Sequence, residues 1–430
     1  MQTNFSDAQL AKAGMPDNER ILRSCVHCGF CSATCPTYAL LGDELDSPRG
    51  RIYLIKNMFE TGRAATARDA LHVDRCLSCL GCMTTCPSGV DYMHLVDSAR
   101  DWIEKTYVRP WPERILRAVL AFVLPYRKRF GVALALGRMA RPFVNVLPGQ
   151  LRAMLSLMPG RAEQRVESGQ AIGAKRMRVA LLGGCVQPVL APQVDMATVR
   201  LLTRLGCEVV TGGGCCGALT HHLGKDGRDF ARANIDRWMA EIDGAGLDAI
   251  VVNASGCGVM VKDYGHLLAD DPAYADCARK IAALAKDPCE VIESLGLVSH
   301  RLSQPVKVAY HAACSLQHGQ QIREAPKALL RQAGFEVLDV PEGHMCCGSA
   351  GTYNILQPKI AGQLRDAKAG NIRKIAPDVV AAGNIGCLMQ IAHGTPEIAV
   401  VHTVELLDWA TGGPMPGAMA RKGAFARYAG

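Results

Sequence analysis

Three hydrophobic patterns succeed one another along the chain. In SPRGRIYLIKNMFETG, Ile52, Leu54, Ile55, Met58 and Phe59 recur at helical spacing, and Gly62 is placed to end the helix. Between Tyr107 and Arg161, apolar runs such as ILRAVLAFVLPY and VALALG are interrupted by arginines. Pro110, Pro112, Pro125, Pro142, Pro148 and Pro159 cut that stretch into short amphipathic helices. No run reaches the roughly 18 apolar residues that a spanning helix needs. From about residue 176 the pattern changes to short β-branched runs separated by helical ones. MRVALL, CEVVT and DAIVV alternate with stretches such as VDMATVRLLTRLG; VKVAYH, FEVLDV and PDVVAA do so with EAPKALLRQAG. Strands alternating with helices predict parallel α/β units.

Those units form an internal repeat, and cysteines mark its joints. Each copy has a strand running into a lone cysteine, Cys185 or Cys314. Each then has an adjacent pair flanked by glycine, Cys215–Cys216 in GGGCCGAL or Cys346–Cys347 in GHMCCGSAG, and ends at Cys257 or Cys387. Lone cysteine to pair takes 30 residues in one copy and 32 in the other; pair to last cysteine takes 41 and 40. Parallel sheets place their sites at the carboxyl edge, so each lobe is expected to gather four thiols there. Adjacent cysteines do not readily bond each other. They can ligate neighbouring irons of a cluster, with zinc, a redox-active thiol pair or a bare pocket as alternatives. Cys207, Cys277 and Cys289 fall outside the repeat and read as small hydrophobes. Of the nearby histidines His221, His222, His311 and His344, His222 and His311 are the pocket candidates, and they are expected to support the sites rather than ligate.

The first hundred residues carry two further runs. CVHCGFCSATCP places Cys25, Cys28, Cys31 and Cys35 before Pro36, and CLSCLGCMTTCP places Cys76, Cys79, Cys82 and Cys86 before Pro87. Both have the two-cluster ferredoxin spacing, in which the fourth cysteine serves the other cluster. Cys25, Cys28, Cys31 and Cys86 are therefore assigned to one [4Fe–4S] cluster, and Cys76, Cys79, Cys82 and Cys35 to a second. The prolines are expected to keep the chain from continuing in helix. The long helical spacer points to the α-helical kind of two-cluster ferredoxin.

Nineteen cysteines in 430 residues, an odd number with no signal-peptide pattern in MQTNFSDAQLAKAG, argue for metal or redox chemistry in a reducing cytosol rather than a disulfide framework. The net charge of +8 is concentrated in residues 107–161, where ten basic residues face one acid, Glu113. Apolar runs interleaved with arginine suit an anionic membrane surface or a partner better than nucleic acid. No dinucleotide fingerprint, P-loop or nucleophile elbow is present. With no flavin or nicotinamide site on this chain, electrons must enter from another subunit and leave to a separate acceptor.

Taken together, the two ferredoxin runs, the basic middle and the paired-cysteine lobes resemble the iron–sulfur subunits of glycolate oxidase (glycolate dehydrogenase), and SPRGRIYLIK and CCGSAGTYN resemble them in particular. The layout is shared with iron–sulfur subunits of anaerobic glycerol-3-phosphate dehydrogenase, lactate-utilisation complexes and heterodisulfide reductase. The resemblance implies an α/β mixed chain: an α-helical ferredoxin-type domain at 1–106, a basic helical connector at 107–175, and cysteine-rich CCG lobes at 176–300 and 301–430. It also implies two [4Fe–4S] clusters and partners that are FAD-containing glycolate dehydrogenase subunits. Electrons would pass toward a quinone-type acceptor, with the complex cytoplasmic and peripheral on the inner face of the membrane. The fullest version of such lobes has a fifth thiol, which here is Ala254 or Asn384. A glycerol-3-phosphate or lactate dehydrogenase subunit and a thiol–disulfide reductase acting at the pairs are the competing readings.

Overall fold

A computed structural model describes residues 1–140, 167–298 and 305–422. Arg141, Arg152, Arg161 and the prolines at 142, 148 and 159 lie outside the described residues. Helices make up the first hundred residues. Pro48–Thr61 begins where Ser47 Oγ accepts from the Gly50 N–H at 2.9 Å and ends at Gly62, whose φ of 63° is left-handed. Its inner face, Ile55, Met58 and Phe59, packs on Leu22, Val73, Leu95 and Ile103. Each of those three side chains contributes about 1.5–3 kcal/mol by leaving water. Gly50 admits no side chain, because a Cβ there would lie 2.0 Å from the Glu44 carbonyl oxygen.

The expected role of proline needs one correction. Pro87 does follow a helix, Gly81–Thr85. Pro36 instead opens one, Pro36–Leu41, as its first residue, where the missing N–H costs nothing.

Beyond the connector, two four-stranded parallel sheets repeat one topology. β1 (Met177–Leu182), β2 (Cys207–Gly212), β3 (Ala249–Val251) and β4 (Ala285–Lys286) are ordered β2-β1-β3-β4. β5 (Lys307–His311), β6 (Glu336–Asp339), β7 (Val379–Ala382) and β8 (Ala399–His402) are ordered β6-β5-β7-β8. The repeat pattern marks three strands per copy. The fourth lies beyond the last cysteine of each copy, where no landmark of the repeat marks it. The copies are fused through one continuous core, in which Val179, Leu181 and Val251 share a cluster with Val308, Tyr310 and Val401. Buried Asp408 ties them further, accepting from Arg200 Nη2 at 2.6 Å and pairing with Arg204.

The connector supplies two helices, Trp111–Val123 and Arg127–Ala140. Leu120 and Leu124 pack inward against Leu223, while Trp111, Ile115, Val119 and Phe122 form an exposed stripe. Not all ten cations face outward. Arg109 and Arg117 are buried and paired with Asp74 and Glu113, and Arg109 also with Glu104. Among the described residues, no helix is long and apolar enough to cross a membrane.

The ferredoxin region is docked on the lobes by polar contacts. His94 Nε2 meets Asp263 Oδ1 at 2.9 Å while its Nδ1 meets Asp91, and the Tyr353 hydroxyl donates to the Arg75 carbonyl at 3.0 Å. Burial pulls the His94 pKa down, but Asp263 and Asp91 outweigh it and hold it up at about 10. A histidine raised this way stabilises fully below its unfolded value near 6.5, and the contribution disappears as pH climbs through about 10. The wild-type chain is therefore expected to lose more thermal stability between pH 8 and pH 10.5 than His94→Gln does. Parallel losses in the two would remove His94 from that interface.

Candidate iron–sulfur and thiol sites

The eight ferredoxin cysteines fall into two groups. A small cavity of about 30 Å³ is lined by Cys25, Cys28, Cys31 and Cys86, from both runs, and by Cys82 of the other set, together with Arg49, Ile52 and Tyr92. Burial pushes the Cys31 thiol up to about 11, and Cys25, Cys86 and Cys28 add their repulsion. In the second group, Cys82 is buried and Cys79 half-buried among Cys76 and Cys35. Burial first, then nearby thiols, led by Cys314 for Cys79 and by Cys79 for Cys82, hold both well above the ordinary range. Clustered thiols that disfavour one another's ionised forms suit a cationic metal core, which removes the repulsion.

The backbone repeats along with the cysteines. His27 and Gly29 flank Cys28 at φ of 58° and 85°, and Ser78 and Leu80 flank Cys79 at 49° and 62°. Three of these four are not glycine, so each run holds strained left-handed residues that curl the chain around its cysteines. Donors aim at the sulfurs. The Tyr92 hydroxyl lies 3.7 Å from Cys76 Sγ, and the Ser78 N–H donates to it at 3.5 Å. Arg51 Nη1 approaches Cys35 Sγ at 3.8 Å. Arg51 is 1% exposed, and Asp46, His72 and Thr37 surround it. Sequence reading took SPRGRIYLIK as a helix and missed this guanidinium. A charge one turn before Ile55, on the apolar face, was its only signal.

The lobes gather their thiols as the repeat predicts. Cys185, Cys215, Cys216 and Cys257 gather in one lobe, each thiol beside the next, as do Cys314, Cys346, Cys347 and Cys387 in the other. Cys257 and Cys387 sit in the first turn of the helices after β3 and β7 rather than on the strands. The glycine of each C-C-G has a physical reason. Gly217 and Gly348 stand at φ of 93° and 86°, and each N–H donates to the first sulfur of its pair at 3.4 Å. In the first lobe the protons are unevenly held. Hydrogen bonds from Cys185 and Cys216 lower Cys215, while Cys185 and Cys216 are raised by the same bonds and by burial.

Both tetrads face one cavity of about 670 Å³, between the lobes, the ferredoxin region and the apolar side of the connector helices. Cys76 and Cys79 line it too, and Cys79 is near enough to the second lobe for the charge of Cys314 to act on it and for its own to act on Cys346. The second ferredoxin group and the second lobe are thus neighbours. Ala254 and Asn384, at the missing fifth-thiol positions, also line the cavity, and Asn384 Nδ2 donates to Cys387 Sγ at 3.6 Å.

The histidines separate clearly. His222 lines the cavity and lies 3.7 Å from Asp97, while His221 lies 3.2 Å from the same carboxylate. His344 offers its carbonyl to His318. His311 lies beneath the second tetrad, 1% exposed, and burial pulls its pKa down to about 3. Cys207 and Cys289 are buried in the core the lobes share, and Cys277 is half-buried against the core of the first lobe.

A 4Fe-4S dicluster domain matches residues 21–90, and a cysteine-rich domain matches twice, at 179–262 and 308–392. The chain is 44% identical to the glycolate oxidase iron-sulfur subunit of Escherichia coli (strain K12), over 95% of this chain and 99% of that one. It is 32% identical to the probable glycolate oxidase iron-sulfur subunit of Bacillus subtilis (strain 168), over 92% and 95%. Lactate utilization protein A of Bacillus licheniformis is 31% identical over 54% of this chain. Among solved structures, a hypothetical protein from Helicobacter pylori shares the fold, with a TM-score of 0.54 and 9% identity over 97% of this chain and 75% of that one.

Proposed function

This chain belongs to the family of glycolate oxidase iron–sulfur subunits, and we propose that it carries electrons from flavin-bearing partner subunits, where glycolate becomes glyoxylate, toward a quinone-type acceptor. The gathering of eight ferredoxin cysteines into two groups of four, the second against the thiols of a lobe, carries the reading. Cys25, Cys28, Cys31 and Cys86 would hold one four-iron cluster, and Cys76, Cys79, Cys82 and Cys35 the other. Such clusters, when bound, supply one-electron carriers. The protein's own part is to exclude water with Ile52 and Tyr92, to donate hydrogen bonds to the Cys76 and Cys35 sulfurs, and to hold Arg51 where it favours added negative charge.

The test uses the chain purified without oxygen together with its partner subunits. Glycolate is expected to bleach the visible cluster absorbance. Bleaching by lactate or glycerol 3-phosphate instead moves the substrate, and bleaching by none of them removes the electron-transfer reading.

We further propose that the exposed stripe of Trp111, Ile115, Val119 and Phe122, beside Arg114, Lys128 and Arg129, rests on the anionic inner leaflet. Ile115→Asp with Val119→Asp is expected to weaken binding to anionic vesicles about tenfold or more, since each lost insertion removes about 1.5–3 kcal/mol. Unchanged flotation with such vesicles would assign the stripe to a protein partner.

A further inference from the structure

The two lobes are duplicates in their cysteines but not in the residue beneath them. Three residues before the lone cysteine, the first lobe has Leu182 and the second has His311, each the last residue of its strand. His311 is almost wholly buried, and among the described residues neither ring nitrogen has a hydrogen-bond partner. An imidazole always carries at least one donor, so two unmet nitrogens in an apolar interior call for a ligand. A ring nitrogen of His311, Cys347 Sγ and Cys387 Sγ all lie within 4.8 Å of one another. Cys346 adjoins Cys347 in the chain, and Cys314 lines the same cavity beside them. Lys368, also buried, stands in the field of Cys314, Cys346 and Cys347 and is positioned to offset negative charge.

We propose that the second lobe holds a single tetrahedral zinc ion on His311, Cys347 and Cys387, with the fourth ligand from the Cys314–Cys346 pair. One imidazole and three thiolates are a closed structural zinc set. Zinc–sulfur bonds of about 2.3 Å and zinc–nitrogen bonds of about 2.0 Å put neighbouring ligand atoms about 3.5–3.8 Å apart. The three ligand atoms therefore need to close by roughly an ångström at most. With Leu182 in its place, the first lobe has no nitrogen ligand, so the duplicated sites have diverged chemically. Zinc does not change oxidation state, so the second lobe becomes an anchor against which Cys79 and its neighbours are packed. The proposal goes beyond the electron-transfer reading and does not depend on which substrate feeds it.

The test is metal content and zinc K-edge absorption of the full chain, purified without oxygen from cells supplied with zinc. About one zinc per chain is expected, with a mixed nitrogen and sulfur shell. His311→Leu copies the first lobe and is expected to lose zinc at least about tenfold while keeping its iron. Should that variant fold poorly, His311→Cys keeps a ligand at the position and is expected to retain zinc with an all-sulfur shell. An all-sulfur shell in the wild type, zinc retained by a folded His311→Leu, or iron in place of zinc in this lobe would overturn the proposal. Iron intact with zinc absent would refute the zinc site and leave the electron-transfer reading standing, whereas lost iron in the wild type would strike that reading instead.

Discussion

Alanine in place of Asp46 is expected to cost the ferredoxin region about 3–5 kcal/mol, the penalty for stripping the partner from a buried charge. Asp46 is 0% exposed and sits among three basic side chains: Arg75 Nη1 at 2.7 Å, His72 Nδ1 at 2.9 Å and Arg51 Nη2 at 3.4 Å. Its carbonyl also accepts from the Thr37 hydroxyl at 2.8 Å, and Thr37 lies against Cys35 Sγ. Losing the carboxylate leaves the Arg51 guanidinium buried without its counter-charge next to a cluster cysteine. Denaturant unfolding of the oxygen-free protein, with iron counted in parallel, should show an earlier transition and depleted iron. An unchanged midpoint would mean that solvent reaches Arg51.

The other large effect is at Cys79. This cysteine belongs to the second ferredoxin group and also borders the cavity near Cys314 and Cys346. Cys79→Ala is expected to lower glycolate-driven electron flow through the complex at least about 100-fold, more than the loss of an outer hydrogen-bond partner costs. Cys207→Ala, at a cysteine buried in the shared apolar core, should leave that flow and the iron count unchanged. Equal effects from the two would mean that Cys79 matters for packing alone.

What could be read from the sequence follows from what constrains spacing. Ligand geometry sets the intervals among Cys25, Cys28, Cys31 and Cys35, and the left-handed turns at Gly217 and Gly348 set the C-C-G of each lobe. Those features show as letters. The parallel sheets were legible because buried strands are β-branched and recur between helices. Hidden features are those that join distant parts of the chain. Asp46 with Arg75, His94 with Asp263, and Asp408 with Arg200 leave no local pattern, since each residue alone reads as an ordinary surface charge. The same holds for Arg109 and Arg117, which count toward the basic stretch and which acids from three helices neutralise. His311 was visible beside Cys314, but only its burial and unmet nitrogens separate it from a supporting residue.

The most direct measurement is iron and acid-labile sulfide per chain, on protein purified without oxygen. At least about eight irons and as many sulfides are expected, two four-iron clusters on the ferredoxin cysteines. Little iron, with zinc on the ferredoxin cysteines as well, would contradict a chain built to carry electrons.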